Sequence, residues 1–94
     1  MKVVSYKAIR DFVAIHPAAL PALRHWHATT KYAAWQNIQE VRADFPHADL
    51  VGRRTVFNVG GNAYRIIARI NYTAQKVFVL HILTHAEYNK EKWK

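Results

Sequence analysis

Arginine, histidine and tyrosine side chains recur in the C-terminal half of the chain in a pattern that suits phosphate chemistry. Arg65 and Arg69 lie in a run of aliphatic and polar residues, so a strand there would place both guanidiniums on one face. Guanidinium groups bind phosphate oxygens and stabilise negative charge in a transition state. The alternative is that each arginine pairs with a carboxylate or only solvates an exposed face, although the chain has just 6 acidic residues.

A second candidate cluster is Thr84-His85-Ala86-Glu87-Tyr88, where the last strand should end beside the same face. A histidine titrates near neutrality, and His85 could therefore act as a general acid or base in RNA cleavage. Tyr88 could donate a hydrogen bond to phosphate or stack against a base. The alternatives are a structural role for His85 and a helix-capping or ion-pairing role for Glu87.

The charge balance favours a polyanionic partner. Fourteen Lys and Arg against six Asp and Glu give a net charge of +8, which suits nucleic acid, an acidic protein or an anionic membrane. Solubility alone is the other explanation for such a charge. We predict that basic and polar residues on and around the face of Arg65 bind RNA, namely Arg53, Arg54, Arg69, Asn71 and Lys92.

The six histidines do not predict a metal site. His25 and His27 are two residues apart and would diverge on a helix, and the sequence contains neither an HExxH motif nor a Cys/His knuckle. Gly60-Gly61-Asn62 lacks the Lys-Ser/Thr of a phosphate-binding loop and joins two strands, so it predicts a hairpin turn. We therefore expect no metal and no cofactor.

These residues require a sheet to position them. Hydrophobic patterns predict a first strand, three helices and then three consecutive strands, over residues 2–4, 6–15, 17–30, 34–45, 56–59, 64–72 and 77–84. Residues 47–52 read as a loop, and 89–94 as a charged tail or short last helix. The order β-α-α-α-β-β-β predicts an α+β fold with a mainly antiparallel sheet, helices on one face and an open basic face on the other.

Length and composition bound the class of protein. Ninety-four residues suit one domain, 1–94, and the absence of cysteine fits a reducing cytoplasm. No window has the apolar length of a membrane span or a secretory signal. We expect a cytoplasmic domain that does not engage a membrane.

The motifs Phe-Asn-x-x-Gly-Asn-x-Tyr-Arg, ending at Arg65, and Thr-His-x-Glu-Tyr, ending at Tyr88, resemble those of HigB toxins in the RelE-like superfamily. The resemblance extends over nearly the whole chain. It implies a compact RelE-like fold and an mRNA interferase that cleaves messages, typically on the ribosome. It also implies a HigA-type helix-turn-helix antitoxin as partner.

Carried over by position, the resemblance gives functional positions to Arg65, His85 and Tyr88, and polar ones to Asn58, Asn62 and Asn71. Two positions depart from the family pattern: Leu80 stands where relatives often carry arginine, and Asn89 where they often carry aspartate.

The hypothesis that follows is metal-independent RNA cleavage through attack of a ribose 2′-hydroxyl on its own phosphate. Arg65 would stabilise the phosphate, His85 would transfer protons and Tyr88 would position the RNA. The main alternative is a non-catalytic basic module that binds RNA or an antitoxin, and Leu80 is its chief support. A DNA-binding transcription factor is disfavoured, because every predicted helix is needed to cover the sheet.

Overall fold

A computed structural model describes residues 1–94 and contains one five-stranded sheet in the order β1-β5-β4-β3-β2. Strand β1 runs parallel to β5, and all the other neighbours are antiparallel. The predicted α+β class is confirmed. The elements in chain order are β1 (Lys2–Val4), α1 (Tyr6–Ile15), a 3₁₀ helix (Pro17–Ala19), α2 (Leu20–Tyr32), α3 (Ile38–Asp44), β2 (Asp49–Val51), β3 (Arg54–Val59), β4 (Tyr64–Asn71), β5 (Lys76–Thr84) and α4 (His85–Asn89).

Helix α3 is shorter than the sequence pattern predicts. It begins at Ile38 because Asn37 caps it, with the Asn37 side chain accepting a hydrogen bond from the Glu40 backbone N–H. Trp35 and Phe45 continue the apolar spacing outside the helix and still pack into the core. The spacing therefore identified the correct core residues but overstated the length of the helix.

Two elements are missing from the predicted order. Residues Asp49–Val51 form the edge strand β2, where we predicted a loop, and His85–Asn89 form α4 directly after β5. A strand of 3 residues is too short to show alternation in the sequence. Helix α4 begins with a capping box in which Thr84 and Glu87 exchange hydrogen bonds, a signature already present in the Thr-His-Ala-Glu spacing.

The main core lies between the sheet and helices α1, α2 and α3. Its centre is aromatic: the Trp26 and Phe57 rings meet edge to face at 5.4 Å, and Trp35 stacks on Phe57 at 6.2 Å. Ile66 on β4 and Leu23 on α2 are fully buried in the same cluster. Packing of helices on this face of the sheet is as predicted.

The opposite face is partly covered, which corrects the prediction of an open face. The C-terminal segment after β5 folds back, and Trp93, 7% exposed, packs against Val56 and Ile67 in a second small core. The Trp93 indole N–H donates to the Tyr88 carbonyl at 3.1 Å, and its own carbonyl accepts from Arg54. The sequence around Trp93 contains no local pattern that predicts where this side chain packs.

A β-bulge in β5 sets the direction of the side chains near its end. Ile67 pairs with His81 and Ala68 with Val79, so Leu80 is the extra residue and is 41% exposed. Val77 and Val79 face the main core before the bulge, whereas Ile82 does so after it. Leu83 therefore pairs with Arg65, and the chain enters α4 beside the first residues of β4.

No helix is both long and apolar enough to cross a membrane.

Candidate active site

Arg65 is the centre of the candidate site and is almost fully buried, at 6% exposure. Its Nη1 group donates to the carbonyls of Asn62 and Tyr64 at 3.0 and 3.1 Å. Its Nη2 group donates to the Asn62 side-chain oxygen at 2.7 Å and to His85 Nδ1 at 2.9 Å. These contacts engage both terminal nitrogens of the guanidinium with the protein itself, and they join the β3–β4 turn to α4.

The contact with Arg65 fixes the protonation pattern of the His85 ring. A guanidinium only donates hydrogen bonds, so Nδ1 must be the acceptor and the neutral ring carries its proton on Nε2. His85 is exposed, and its backbone N–H is tied to the Ala63 carbonyl at 3.0 Å. The ring is therefore held by the protein on one edge and presents an N–H donor on the other.

Glu87 stabilises the start of α4. Its carboxylate accepts from the Thr84 backbone N–H at 2.9 Å, while the Thr84 hydroxyl accepts from the Glu87 N–H at 3.2 Å. The hydrogen bond from the Thr84 backbone is the main cause that lowers the pKa of Glu87, with smaller contributions from the Thr84 side chain and the nearby His16 and Lys90. Of the two roles left open for Glu87, the structure shows the helix cap.

The Tyr88 ring is already packed against protein groups. It stacks nearly parallel on Trp93, with 5.1 Å between ring centroids, and the Arg65 guanidinium lies over it at 5.4 Å. A nucleobase has little ring face left to occupy. Of the two functions considered from the sequence, hydrogen bonding through the hydroxyl fits this packing better than base stacking does.

The structure brings Arg65, His85 and Tyr88 together but separates Arg69 and Asn71 from them. Arg69 is four residues further along β4, about 13 Å by strand rise, so the two arginines cannot share one phosphate. It is exposed, with its guanidinium over the Phe78 ring at 5.3 Å. The Asn71 side chain closes the β4–β5 turn by accepting from Ala74 N–H at 2.9 Å.

The remaining basic residues surround the C-terminal segment. Arg54 donates to the Trp93 carbonyl, and Arg53 is exposed beside it. Lys92 lines a cavity of about 370 Å³ together with His81 and Lys90.

Neither Arg65 nor Arg69 forms an ion pair with a carboxylate; the pairs present are Lys7–Asp11, Arg42–Asp49 and Glu91–Lys94. The ion-pairing alternative considered for the two arginines is thus wrong.

His47 is a site candidate that the sequence pattern did not identify. It lies in the turn before β2, is exposed, and borders a concavity together with Asn58, Gly61 and Asn62. Asn58 pairs directly with Arg65 across β3 and β4. The signal available in the sequence was the pair of motif asparagines around the hairpin turn, but their proximity to His47 depends on strand β2.

No group of three or more His, Cys, Asp or Glu side chains is close enough to hold a metal ion.

Sequence comparison matches the chain to a protein family and to named relatives. Residues 19–91 match the HigB_toxin family, described as the RelE-like toxic component of a toxin–antitoxin system. The chain is 33% identical over 93 residues to a protein named mRNA interferase HigB from Escherichia coli O6:H1, covering 96% of this chain and 90% of the relative. It is 28% identical over 92 residues to the mRNA interferase toxin HigB of Escherichia coli K12, covering 95% and 88%. The family match includes Arg65, His85 and Tyr88 and ends before Lys92 and Trp93.

Proposed function

The chain belongs to the HigB family of RelE-like toxins of toxin–antitoxin systems, and on that premise we propose that it is an mRNA interferase, an endoribonuclease that cleaves messages and thereby inhibits translation. The relatives named as mRNA interferases match over nearly their full length. The structural observation that carries the proposal is the 2.9 Å contact between Arg65 and His85 Nδ1. It leaves a ring N–H donor exposed beside a buried positive charge.

In the proposed reaction a ribose 2′-oxygen attacks the adjacent phosphorus as the bond to the 5′-oxygen breaks. The Nε2–H of His85 donates a hydrogen bond to the departing 5′-oxygen, where negative charge develops. Solvent water accepts the 2′-hydroxyl proton and supplies the proton of the new 5′-hydroxyl. The products are a 2′,3′-cyclic phosphate and a 5′-hydroxyl end, and DNA is not cleaved because it has no 2′-hydroxyl.

Arg65 contributes to this reaction chiefly through its position and its charge. Its hydrogen bonds hold His85 and the Asn62 turn in place, and its positive charge lies next to the site where the phosphate becomes more negative. The Tyr88 hydroxyl, at the edge of a ring fixed by stacking, would hold a phosphate oxygen. Proton transfer by His85 acting as a general base would require the ring to leave its contact with Arg65.

Two further parts of the proposal concern partners. We infer that a HigA-type helix-turn-helix antitoxin neutralises the protein, and that cleavage takes place on the translating ribosome. Membership of a toxin–antitoxin family supports the first, and the net charge of +8 suits binding to an RNA-rich particle. Arg53, Arg54, Arg69 and Lys92 would bind RNA without sequence preference.

A non-catalytic binding module is the second candidate function, and two observations favour it. Leu80 is exposed at the bulge of β5, at the position where the family pattern often has arginine, so no guanidinium is supplied from that strand. The terminal nitrogens of Arg65 are meanwhile occupied by protein acceptors. Such a module would bind message without breaking it.

Mapping of RNA ends separates the two functions. Induction of the protein in cells should stop growth and create new 5′ ends within messages, and those ends should carry hydroxyl groups. Purified protein should then be incubated with RNA alone and, separately, with RNA and ribosomes. The reaction with RNA alone should be repeated in EDTA, because the proposed cleavage needs no metal ion. Growth arrest and RNA binding without new 5′ ends would instead establish the binding module.

A further inference from the structure

A cavity with a basic rim lies beside the candidate active site, between the end of β5, helix α4 and the C-terminal segment. It has a volume of about 370 Å³. Its rim carries three exposed basic side chains, those of His81, Lys90 and Lys92, while the half-buried Leu83 and the buried Trp93 supply apolar surface. Basic groups that converge on one cavity suit an anionic ligand such as a phosphate group.

The β-bulge at Leu80 directs His81 to this cavity. Val79 faces the main core before the bulge, and Ile82 faces it afterwards. In a regular strand, side chains two residues apart share a face, so His81 would follow Val79 into the main core if the extra residue were absent. The bulge turns His81 instead to the opposite face, where its partner Ile67 packs in the second small core.

The strand register places the cavity next to the proposed cleavage site. Leu83, in the cavity lining, pairs with Arg65 on β4. His81 is two residues before Leu83 on β5, about 7 Å by strand rise. Trp93 lines the cavity and also stacks on Tyr88, so one layer of side chains separates the cavity from the site. A phosphate bound at the site would bring the next phosphate of the same RNA strand within reach of the cavity.

Glu87 is the one carboxylate in the lining, and it is already engaged by the protein. It accepts a hydrogen bond from the Thr84 backbone N–H at 2.9 Å within the capping box of α4. That hydrogen bond is the main cause that lowers the pKa of Glu87, and the charge of Lys90 contributes to the same shift. Two lysines and one carboxylate leave the lining positive even with a neutral His81.

We propose that this cavity is a phosphate-binding site, in which His81, Lys90 and Lys92 hold the RNA phosphate next to the scissile one. The RNA strand crosses the sheet from β4 towards β5, and the contact fixes its position relative to His85 without reading its sequence. Continuity of the cavity with the candidate active site favours RNA over an acidic protein segment. This inference rests on the proposed function, since it takes RNA as the ligand.

Binding of uncleavable RNA tests the site without requiring catalysis. A uracil hexaribonucleotide, methylated at every 2′-oxygen, would be titrated into the full chain at several salt concentrations. The double variant Lys90→Gln/Lys92→Gln should bind it about tenfold more weakly at low salt. Its slope of log affinity against log salt should fall by about 0.7, the value for one single-stranded phosphate. Lys7→Gln/Lys31→Gln removes the same charge from α1 and α2, on the other side of the sheet, and should keep the wild-type slope.

NMR of the same titration locates the contact. The RNA should shift the signals of the His81 ring and the Trp93 indole N–H, whereas those of Trp26 and Trp35, buried in the main core, should not move. His81→Ala, an exposed substitution, should weaken binding by about two- to threefold. His25→Ala on α2 is its matched control and should bind as the wild type does.

An unchanged salt slope in the Lys90/Lys92 variant, or RNA binding that leaves the His81 and Trp93 signals in place, would overturn the inference. Hexaglutamate that shifts these signals where RNA does not would also overturn it and assign the cavity to an acidic protein. Cleavage of unmethylated RNA by the wild type together with an unchanged slope in the variant would contradict the inference alone. The expected fall in slope without any cleavage would contradict the proposed function alone.

Discussion

The guanidinium of Arg65 directs its terminal hydrogen bonds inward, to Asn62, Tyr64 and His85, and lies over the Tyr88 ring. One buried side chain thus determines the turn conformation, the tautomer of the histidine and the position of the tyrosine. The basic residues of the site consequently have two different roles. Arg65 organises the site, whereas exposed residues such as Arg69 are free to meet a ligand.

The Tyr88 hydroxyl can be tested separately from the Tyr88 ring. Tyr88→Phe keeps the stack on Trp93 and removes only the hydroxyl, so the free energy of unfolding should change by less than about 0.5 kcal/mol. Loss of a hydrogen bond to a charged phosphate should reduce the cleavage rate roughly ten- to hundredfold. Tyr32→Phe, at a position 83% exposed on α2, is the control. Equal cleavage by the Tyr88 and Tyr32 variants would remove the hydroxyl from the mechanism.

At the scale of elements, the capping box that begins α4 holds His85 at the first position of the helix. The pKa of Glu87 is lowered below its ordinary value of 4.5, so its ionised form is favoured in the folded state. The resulting stability is present above pH 4.5 and is lost as the pH falls through the folded-state pKa.

Glu87→Gln should therefore destabilise the protein at neutral pH, and this difference from the wild type should vanish at a pH well below 4.5. Urea unfolding of both proteins at the two pH values measures the effect. Glu91→Gln is the matched control, because Glu91 pairs with Lys94 and caps no helix. An undiminished difference at acid pH would show that the carboxylate charge is not what stabilises α4.

The elements that the sequence predicted correctly are those with a repeated hydrophobic pattern. Strands β3, β4 and β5 and helix α1 follow period-two and helical spacing, and their positions agree with the prediction to within about two residues. The edge strand β2, the bulge at Leu80 and the packing of Trp93 depend on tertiary contacts, which no local pattern encodes. Arg65, His85 and Tyr88 came from motif residues, whereas His47 joins them only once β2 is paired.

At the scale of the whole molecule, the two faces of the sheet have different roles. One face is sealed by helices around Trp26 and Phe57, and the other carries the candidate site with Trp93 as its own small core. Arg53, Arg54, Arg69 and Lys92 add positive charge on and around that second face. Affinity for RNA should arise from this positive charge.

Arg69→Ala should weaken RNA binding by the same factor for every sequence, since Arg69 is exposed and distant from Arg65 along β4 and would contact only the RNA backbone. The slope of log affinity against log salt should fall by about 0.7, the value for one contact to single-stranded phosphate. Titrations of uncleavable RNA at several salt concentrations measure this slope. A change that depends on the base would contradict a backbone role for Arg69.

The central claim is that the His85 ring, held by Arg65, donates to the departing oxygen of the scissile phosphate. The most direct test is the single-turnover cleavage rate of His85→Ala, measured at saturating protein beside the wild type and the His25→Ala control, with folding verified by thermal unfolding. The account predicts a rate about 10²–10³-fold below that of the wild type, with RNA affinity little changed. A folded His85→Ala protein that cleaves RNA at the wild-type rate would contradict it.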